Sequence, residues 1–404
     1  MVRKWIGLLL LIAVSAAALS GCWNRRELNE LAITVGLAID RAEDGGVRVS
    51  AQVVEPGEVA SGRAAGGGGG NRSPVTLYSA KGESVFEAVR KLTTVSPRKI
   101  YFSHLRVVVF GESLLREGIA KELEFLSRDH EVRTDFYIIA AKGVEGHEVL
   151  DQLTPLVKLP AQKLFTSLQT SEQAWAPTYG VQLDELITSI VSKGKHPVLT
   201  AIEIKGDKKA GETQKNVEEI DSPANLTYSN LVAMKGDKIV GWLTMEESKG
   251  WAYITNNVQN SVGVIDCPGG GTLSLEIVRS KSSMRAESGG GRPSLSVDVF
   301  AEANIGEVRC RVDVSNPKEI RKLEDSAERK IVELMSAAVE RSQQLRTDIF
   351  GFGEELHRTS PGAWRKLEKR WDETFADLPV RFQADVKIRR IGTTNKSFLQ
   401  EVEE

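Results

Sequence analysis

The chain has 404 residues, 41% hydrophobic and 27% charged, with a formal net charge of −2. That length leaves room for two or three domains, each able to bury its own core. The balance, about −4 once Arg3 and Lys4 depart with the leader described next, argues against a nucleic-acid partner, which requires basic faces.

Met1-Val2-Arg3-Lys4 is cationic, and Trp5 to Leu19 is apolar and ends in small residues, as secretory signals do. The run is shorter than the ~20 residues of a spanning helix. Two cleavage patterns fit. Ala16-Ala17-Ala18 suits a small-x-small cut. Leu19-Ser20-Gly21-Cys22 suits the bacterial lipobox, where diacylglycerol alkylates the thiol and the peptide is cut just before it. Four residues in register make the second pattern the more specific. Residues 1–21 are therefore expected to leave as a signal peptide, with Cys22 as lipid anchor. Each buried methylene contributes about 0.8 kcal/mol, and two acyl chains anchor stably where one is marginal. The mature chain would sit on the outer face of the membrane without spanning it.

Ala32 to Asp40 and Val47 to Val54 read as strands around the turn Glu43-Asp44-Gly45-Gly46. The stretch SGRAAGGGGGN, 61–71, follows. Its glycines Gly66 to Gly70 lack the Gly-Lys-Ser/Thr of a phosphate loop, so it reads as a floppy excursion. Val75 to Ser79 resumes a strand. Ser84 and Glu87 form a capping box ahead of a helix with Val85, Val89 and Leu92 on one face. Leu105 to Phe110 is β-branched and continuous, a buried strand. Ser113 is expected to cap a helix with Leu115, Ile119, Leu123 and Leu126 inward, and Phe136 to Ala141 is again a strand. Residues 146–200 pattern as helices broken at Pro155, Pro160 and Pro177, and 206–223 as a polar loop. Strands return at 231–234 and 239–243 around Lys235-Gly236-Asp237-Lys238, then at 263–267, 272–279, 295–303 and 308–314. A helix of about thirty residues follows, with Ile320, Leu323, Ala327, Ile331, Leu334, Ala338, Leu345 and Ile349 on one face and Gly351 as its C-cap. Ser360-Pro361 opens another helix, whose Trp364, Leu367, Trp371 and Phe375 read as core, and 380–391 is a last strand. Cys267 and Cys310 lie in strand-like stretches. They either pair outside the cell or remain two buried thiols.

A search for chemistry ends empty. His104, His130, His147, His196 and His357 are scattered, with no His-x-x-x-His or Cys-x-x-Cys spacing and hence no expected metal site. No G-x-S-x-G elbow occurs. Glu354-Glu355 and Asp372-Glu373 are adjacent and face apart on a helix, so they read as surface charge. The expectation is no enzyme, no catalytic residues and no cofactor.

Several blocks together resemble the Ger(x)C subunits of bacterial spore germinant receptors. They are Cys22-Trp23-Asn24-Arg25-Arg26-Glu27-Leu28; Leu31 to Asp40; Tyr101-Phe102-Ser103-His104 running into LRVVVFGESL; Lys235 to Lys238 with Val240-Gly241-Trp242-Leu243; and Asp348-Ile349-Phe350-Gly351-Phe352-Gly353-Glu354 with Pro361, Trp364, Trp371-Asp372 and Ile388 to Gly392. Ala38 and the 66–70 glycines depart from the family pattern. The resemblance implies a lipid-anchored, non-enzymatic subunit in the spore inner membrane. It would act with two integral-membrane receptor subunits when nutrients trigger germination. It implies an α+β fold of three mixed α/β domains with largely antiparallel sheets, divided as 22–145, 146–260 and 261–404. The sequence does not single out docking faces; the segments Trp23 to Leu28 and Gly351 to His357 are only candidates, with a structural role as the alternative for both. A solute-binding lipoprotein shares the anchor and stands as the alternative, although such proteins show two similar lobes and this chain's strand-rich last third does not repeat the first.

Overall fold

The computed structural model describes residues 3–7, 27–60, 73–289 and 292–390. Cys22, Trp23 to Arg26, the glycines 66–70 and residues 391–392 lie outside them. Two mixed sheets carry the architecture. The larger comprises β1 (Leu31–Arg41), β2 (Val47–Val54), β3 (Val75–Gly82), β4 (Lys99–Tyr101), β5 (Val107–Phe110), β6 (Tyr137–Ala141), β7 (Val198–Gly206), β8 (Ala224–Lys235) and β9 (Lys238–Trp242). Their order is β3-β2-β1-β5-β6-β7-β8-β9, with β4 paired to the start of β1. β1, β5, β6 and β7 run parallel, and antiparallel pairs extend both flanks. The parallel centre is buried on both faces, which is why VVVF of β5 is uniformly apolar and inaccessible.

Alternation sorts the two faces, interrupted by a register shift in β1 between Thr34 and Gly36 that puts Val35 on the same side as Ala38. Leu37 and Ile39 pack under α1 (Val85–Lys91), α2 (Glu112–Glu117) and α3 (Ala120–Arg128). Val35 and Ala38 turn the other way, toward α4 (Gly146–Leu150) and α5 (Pro160–Ala174). A further helix, α6 (Leu183–Val191), lies on the first face through Leu183 and Leu186. The Ser84 cap forms as expected: its hydroxyl accepts from the Glu87 N–H at 3.2 Å, while the Glu87 carboxylate takes the Glu83 N–H at 2.7 Å. Ser113 caps nothing. Gly111 is the N-cap of α2, and Gly118, at φ +118°, divides the expected single helix into α2 and α3. The Ser113 hydroxyl donates instead to Glu145 at 2.8 Å.

The boundary expected between residues 145 and 146 falls inside this sheet. β6 and β7 are neighbours across it, so 22–145 and 146–260 share one continuous sheet. β7 starts in the last three residues of the stretch expected to be helical and continues through residues for which no element was expected; Val198 to Ile202 is entirely buried between β6 and β8. The 206–223 stretch holds two single-turn helices, Lys208–Gly211 and Lys215–Glu218.

The second sheet runs β10 (Ser261–Asp266), β11 (Thr272–Gly289), β12 (Arg292–Arg309) and β13 (Val380–Arg390) in that order, with β12 and β13 parallel. Two strands expected at 295–303 and 308–314 merge into β12, which ends at Arg309. Its inner face packs against α7 (Met245–Ile254) and α8 (Pro317–Gln344). A true capping box, Thr244 with Glu247, opens α7; Asn316 caps α8 and Pro317 starts it. The two helices nearly touch at Gly250, where a Cβ would stand 2.0 Å from the Leu334 carbonyl oxygen. Three short helices follow: α9 (Phe352–Thr359), α10 (Pro361–Leu367) and α11 (Trp371–Ala376), so the expected aromatic stripe is spread over two helices and still buries Trp364, Trp371 and Phe375.

Cys267 and Cys310 form a disulfide, which resolves the two alternatives against free thiols. The pairing of Asp266 with Thr272, and of Thr272 with Arg309, brings the end of β10 and the end of β12 to one edge of the sheet. Sequence spacing carries no such register.

Candidate functional site

Two buried polar clusters stand out, and each gathers residues from separate blocks of the sequence. The first lies where β1, β5 and α4 meet. Asp40, 1% exposed, accepts from the Gly146 N–H at 2.6 Å, the His147 N–H at 3.0 Å and His147 Nδ1 at 2.8 Å. Nδ1 therefore carries the proton, leaving Nε2 to face Arg48 Nη1 at 3.2 Å. The hydrogen bond from His147 to the Asp40 carboxylate raises the His147 pKa above its ordinary 6.5. Burial raises that of Glu145, and the neighbouring Asp40 carboxylate adds to the shift. Gly111 leaves the space this cluster needs: a Cβ there would stand 2.1 Å from Glu145 Oε2 and 2.4 Å from Asp40 Oδ1.

The second cluster ties the larger sheet to the helices packed on the second one. Its centre is Asp348, wholly inaccessible, in the loop after α8. Its carboxylate accepts from the N–H groups of Phe350 (3.1 Å), Gly351 (2.9 Å) and Gly353 (2.9 Å) and from Trp371 Nε1 (3.0 Å). Burial pushes the Asp348 pKa up, against the pull of these donors. Its carbonyl accepts the His196 N–H at 2.7 Å, and Thr347 donates to the Met234 carbonyl at 2.9 Å, so the same loop is sewn to the larger sheet. On the other side, Trp251 Nε1 donates to the Ile349 carbonyl at 2.9 Å.

The glycines of Phe350-Gly351-Phe352-Gly353 now have reasons. Gly351, at φ +91°, is the N-cap of α9 and not the C-cap of the preceding helix. Gly353 lies against Gly194 so closely that a Cβ on it would meet the Gly194 Cα at 2.6 Å and Trp371 Nε1 at 2.7 Å. The Gly351–His357 segment suggested as a docking face turns its bulk inward, with Phe352 and Leu356 fully buried.

Beside Asp348, the Asp372 carboxylate takes His196 Nε2 at 3.0 Å and Lys235 Nζ at 2.7 Å. Burial alone would raise its pKa; the hydrogen bonds and charges of His196 and Lys235 outweigh that and hold it below the usual range. Lys235 also donates to the Arg346 carbonyl at 3.2 Å. Arg346 closes α8. The Thr347 N–H reaches the Ser342 carbonyl and the Arg346 N–H reaches that of Gln343, the paired bonds of a Schellman motif, at 3.1 and 3.0 Å. Its left-handed position, normally glycine, is held by Arg346 at φ +51°.

Asp40, Gly111, Ser113, Lys235, Asp348, Trp371 and Asp372 all belong to the blocks quoted from sequence. His147, His196 and Glu145 do not. The two histidines meet carboxylates 107 and 176 residues away, and no local spacing announces that. Of the others, His104 is exposed in a turn and His357 stacks on Trp364 with ring centroids 5.9 Å apart. Among the described residues, no three His, Cys, Asp or Glu side chains are grouped so as to hold a metal ion, and no helix is long and apolar enough to cross a membrane.

An α+β chain of two mixed sheets joined through a buried Asp–Gly–Trp seam defines the class. A family model described as the spore germination protein N-terminal domain matches residues 24–204, and one described as spore germination B3/GerAC like, C-terminal, matches 229–392. The chain belongs to this family of spore germination proteins. Spore germination protein KC of Bacillus subtilis (strain 168) is 31% identical, with 98% of each chain covered. Spore germination protein B3 of the same organism is 23% identical over 94% of this chain and 96% of its own. The crystal structure of the GerBC protein superposes with a TM-score of 0.52 at 20% identity, over 88% of this chain and 97% of that one, and so shares the fold.

Proposed function

We propose that the chain is a non-enzymatic, lipid-anchored subunit of a nutrient germinant receptor in the spore inner membrane, held by acylated Cys22 and working beside two integral-membrane subunits. The observation that carries this reading is the likeness to spore germination protein KC over 98% of each chain. The lipobox supplies the anchor. The Asp348 carboxylate spends its acceptor capacity on backbone and indole donors, and Asp40 on two backbone N–H groups and the His147 imidazole, which favours an architectural role.

Tethering is the mechanism. Eight residues lie between Cys22 and Leu31, so even a fully extended link of nine residue steps reaches at most about 30 Å, and the start of β1 stays near the bilayer. Pairing of Thr34 with Val53 and of Val54 with Val75 makes the 55–74 excursion leave the sheet at that same end. Confinement to this layer raises the effective concentration at membrane partners, and weak interfaces then suffice. Cys22→Ala is expected to give a folded, unacylated chain, recovered in the soluble fraction, with impaired nutrient-triggered germination. Normal germination of spores carrying that variant would overturn the reading.

A further inference from the structure

Beside the seam opens a cavity of about 360 Å³, walled by the loop ahead of β7, the end of β8, the end of α8 and the segment 368–373. That volume falls in the range of small-molecule sites, above what a lone ion needs. Its walls are cationic. Lys193 leans on Glu368 at 3.6 Å, and Lys235 and His196 share Asp372, but Arg346, Lys369 and Arg370 have no ion-pair partner among the described residues. Against these three stands Glu373, the lining carboxylate without a cation of its own.

Arg346 is the telling residue. It holds a left-handed position that ends a Schellman motif, where glycine is the ordinary choice and a β-carbon is strained. Its backbone already does all that the motif and Lys235 require, so nothing in the packing needs an arginine side chain there. An uncompensated guanidinium beside two more free cations suits a planar, multiply charged oxyanion, which arginine grips with two parallel hydrogen bonds.

We propose that this cavity binds a small free anion bearing two or more carboxylate or phosphate groups. The side chains of Arg346, Lys369 and Arg370 would hold it, and the Asp372–His196–Lys235 triad would form the fixed floor. Because one wall comes from the larger sheet and the others from the chain beyond α8, such an anion would bridge the two halves. The proposal does not depend on the anchor or on receptor membership.

The test is calorimetry and thermal melting of the full chain in detergent with malonate, citrate or inorganic pyrophosphate, each against sodium chloride at matched ionic strength. At least one of these probes should bind and raise the Tm where chloride does not. Arg346→Gly should weaken that binding about tenfold, the worth of one charged hydrogen-bonded pair, yet melt no lower than the wild type, because glycine suits the left-handed position. Arg346→Asn, also at home there, should behave alike, and Lys369→Ala should weaken binding too. If no probe binds better than chloride, or if Arg346→Gly and Arg346→Asn bind as tightly as the wild type, the proposal fails. Binding of anionic phosphatidylglycerol vesicles through Arg346 with no response to the free anions would likewise overturn it, pointing to a headgroup in place of a free ligand.

Discussion

At Asp348, four N–H donors converge on one carboxylate that water does not reach. Each buried donor left without an acceptor costs about 1–3 kcal/mol. Asp348→Ala should therefore lower the urea-unfolding free energy by at least about 4 kcal/mol, and Asp348→Asn, which keeps one carbonyl oxygen, by less. An unchanged midpoint for the alanine variant would show that the loop is held by other means. His147 makes a prediction of opposite character. Its hydrogen bond to Asp40 raises the folded pKa above the ordinary 6.5, so the folded state holds the proton more tightly than the unfolded chain. That stabilisation is complete below about pH 6.5 and is lost as pH rises through the folded value. Glu145, also raised, adds the same sign in its own window above its ordinary 4.5. Urea midpoints of the wild type should fall between about pH 6 and pH 8, and His147→Gln should flatten that fall. Parallel pH profiles for the two proteins would rule the linkage out.

Elements show what local sequence can and cannot specify. β5 and the face of α8 from Ile320 to Ala338 were legible because burial on both sides, or on one stripe, forces a composition that reads directly, whereas Leu345 and Ile349, expected on that face, lie past the end of the helix at Gln344. The cap at Ser84 was legible because its partner is three residues on. Ser113 looked the same and caps nothing, since its hydroxyl finds Glu145, brought in by α4. β7 was hidden by the proline-broken helical run before it, although Val198, Thr200 and Ile202 have the branched side chains of a strand. Gly351 was correctly singled out but placed at the wrong end of a helix; its positive φ serves α9. The disulfide was invisible to spacing because it rests on the register of β10, β11 and β12. It closes a loop spanning 43 residues, for which the chain-entropy model gives about 4 kcal/mol. Cys310→Ser should lower the unfolding free energy by roughly 2–4 kcal/mol, read by urea denaturation with and without reductant. A variant as stable as the oxidised wild type would mean that the hairpin is ordered without the link.

For the whole molecule, the two sheets are less independent than a chain of domains suggests. The larger sheet runs through the 145/146 boundary, and the loop 345–353 bonds both to β8 of the larger sheet and to α7, the helix packed on the second sheet. The candidate site was thus half legible: the blocks holding Asp40, Lys235, Asp348 and Asp372 could be quoted from sequence, while the histidines that complete them could not. A role in germination follows from membership in the spore germination family, and the anchored receptor subunit is the proposal made within it. The most direct test is affinity capture of the tagged full chain from detergent-solubilised spore inner membranes. The account predicts an acylated Cys22 by mass spectrometry and two integral-membrane proteins recovered in constant ratio with the chain. Recovery of the chain alone, with an unmodified thiol at its mature start, would contradict it.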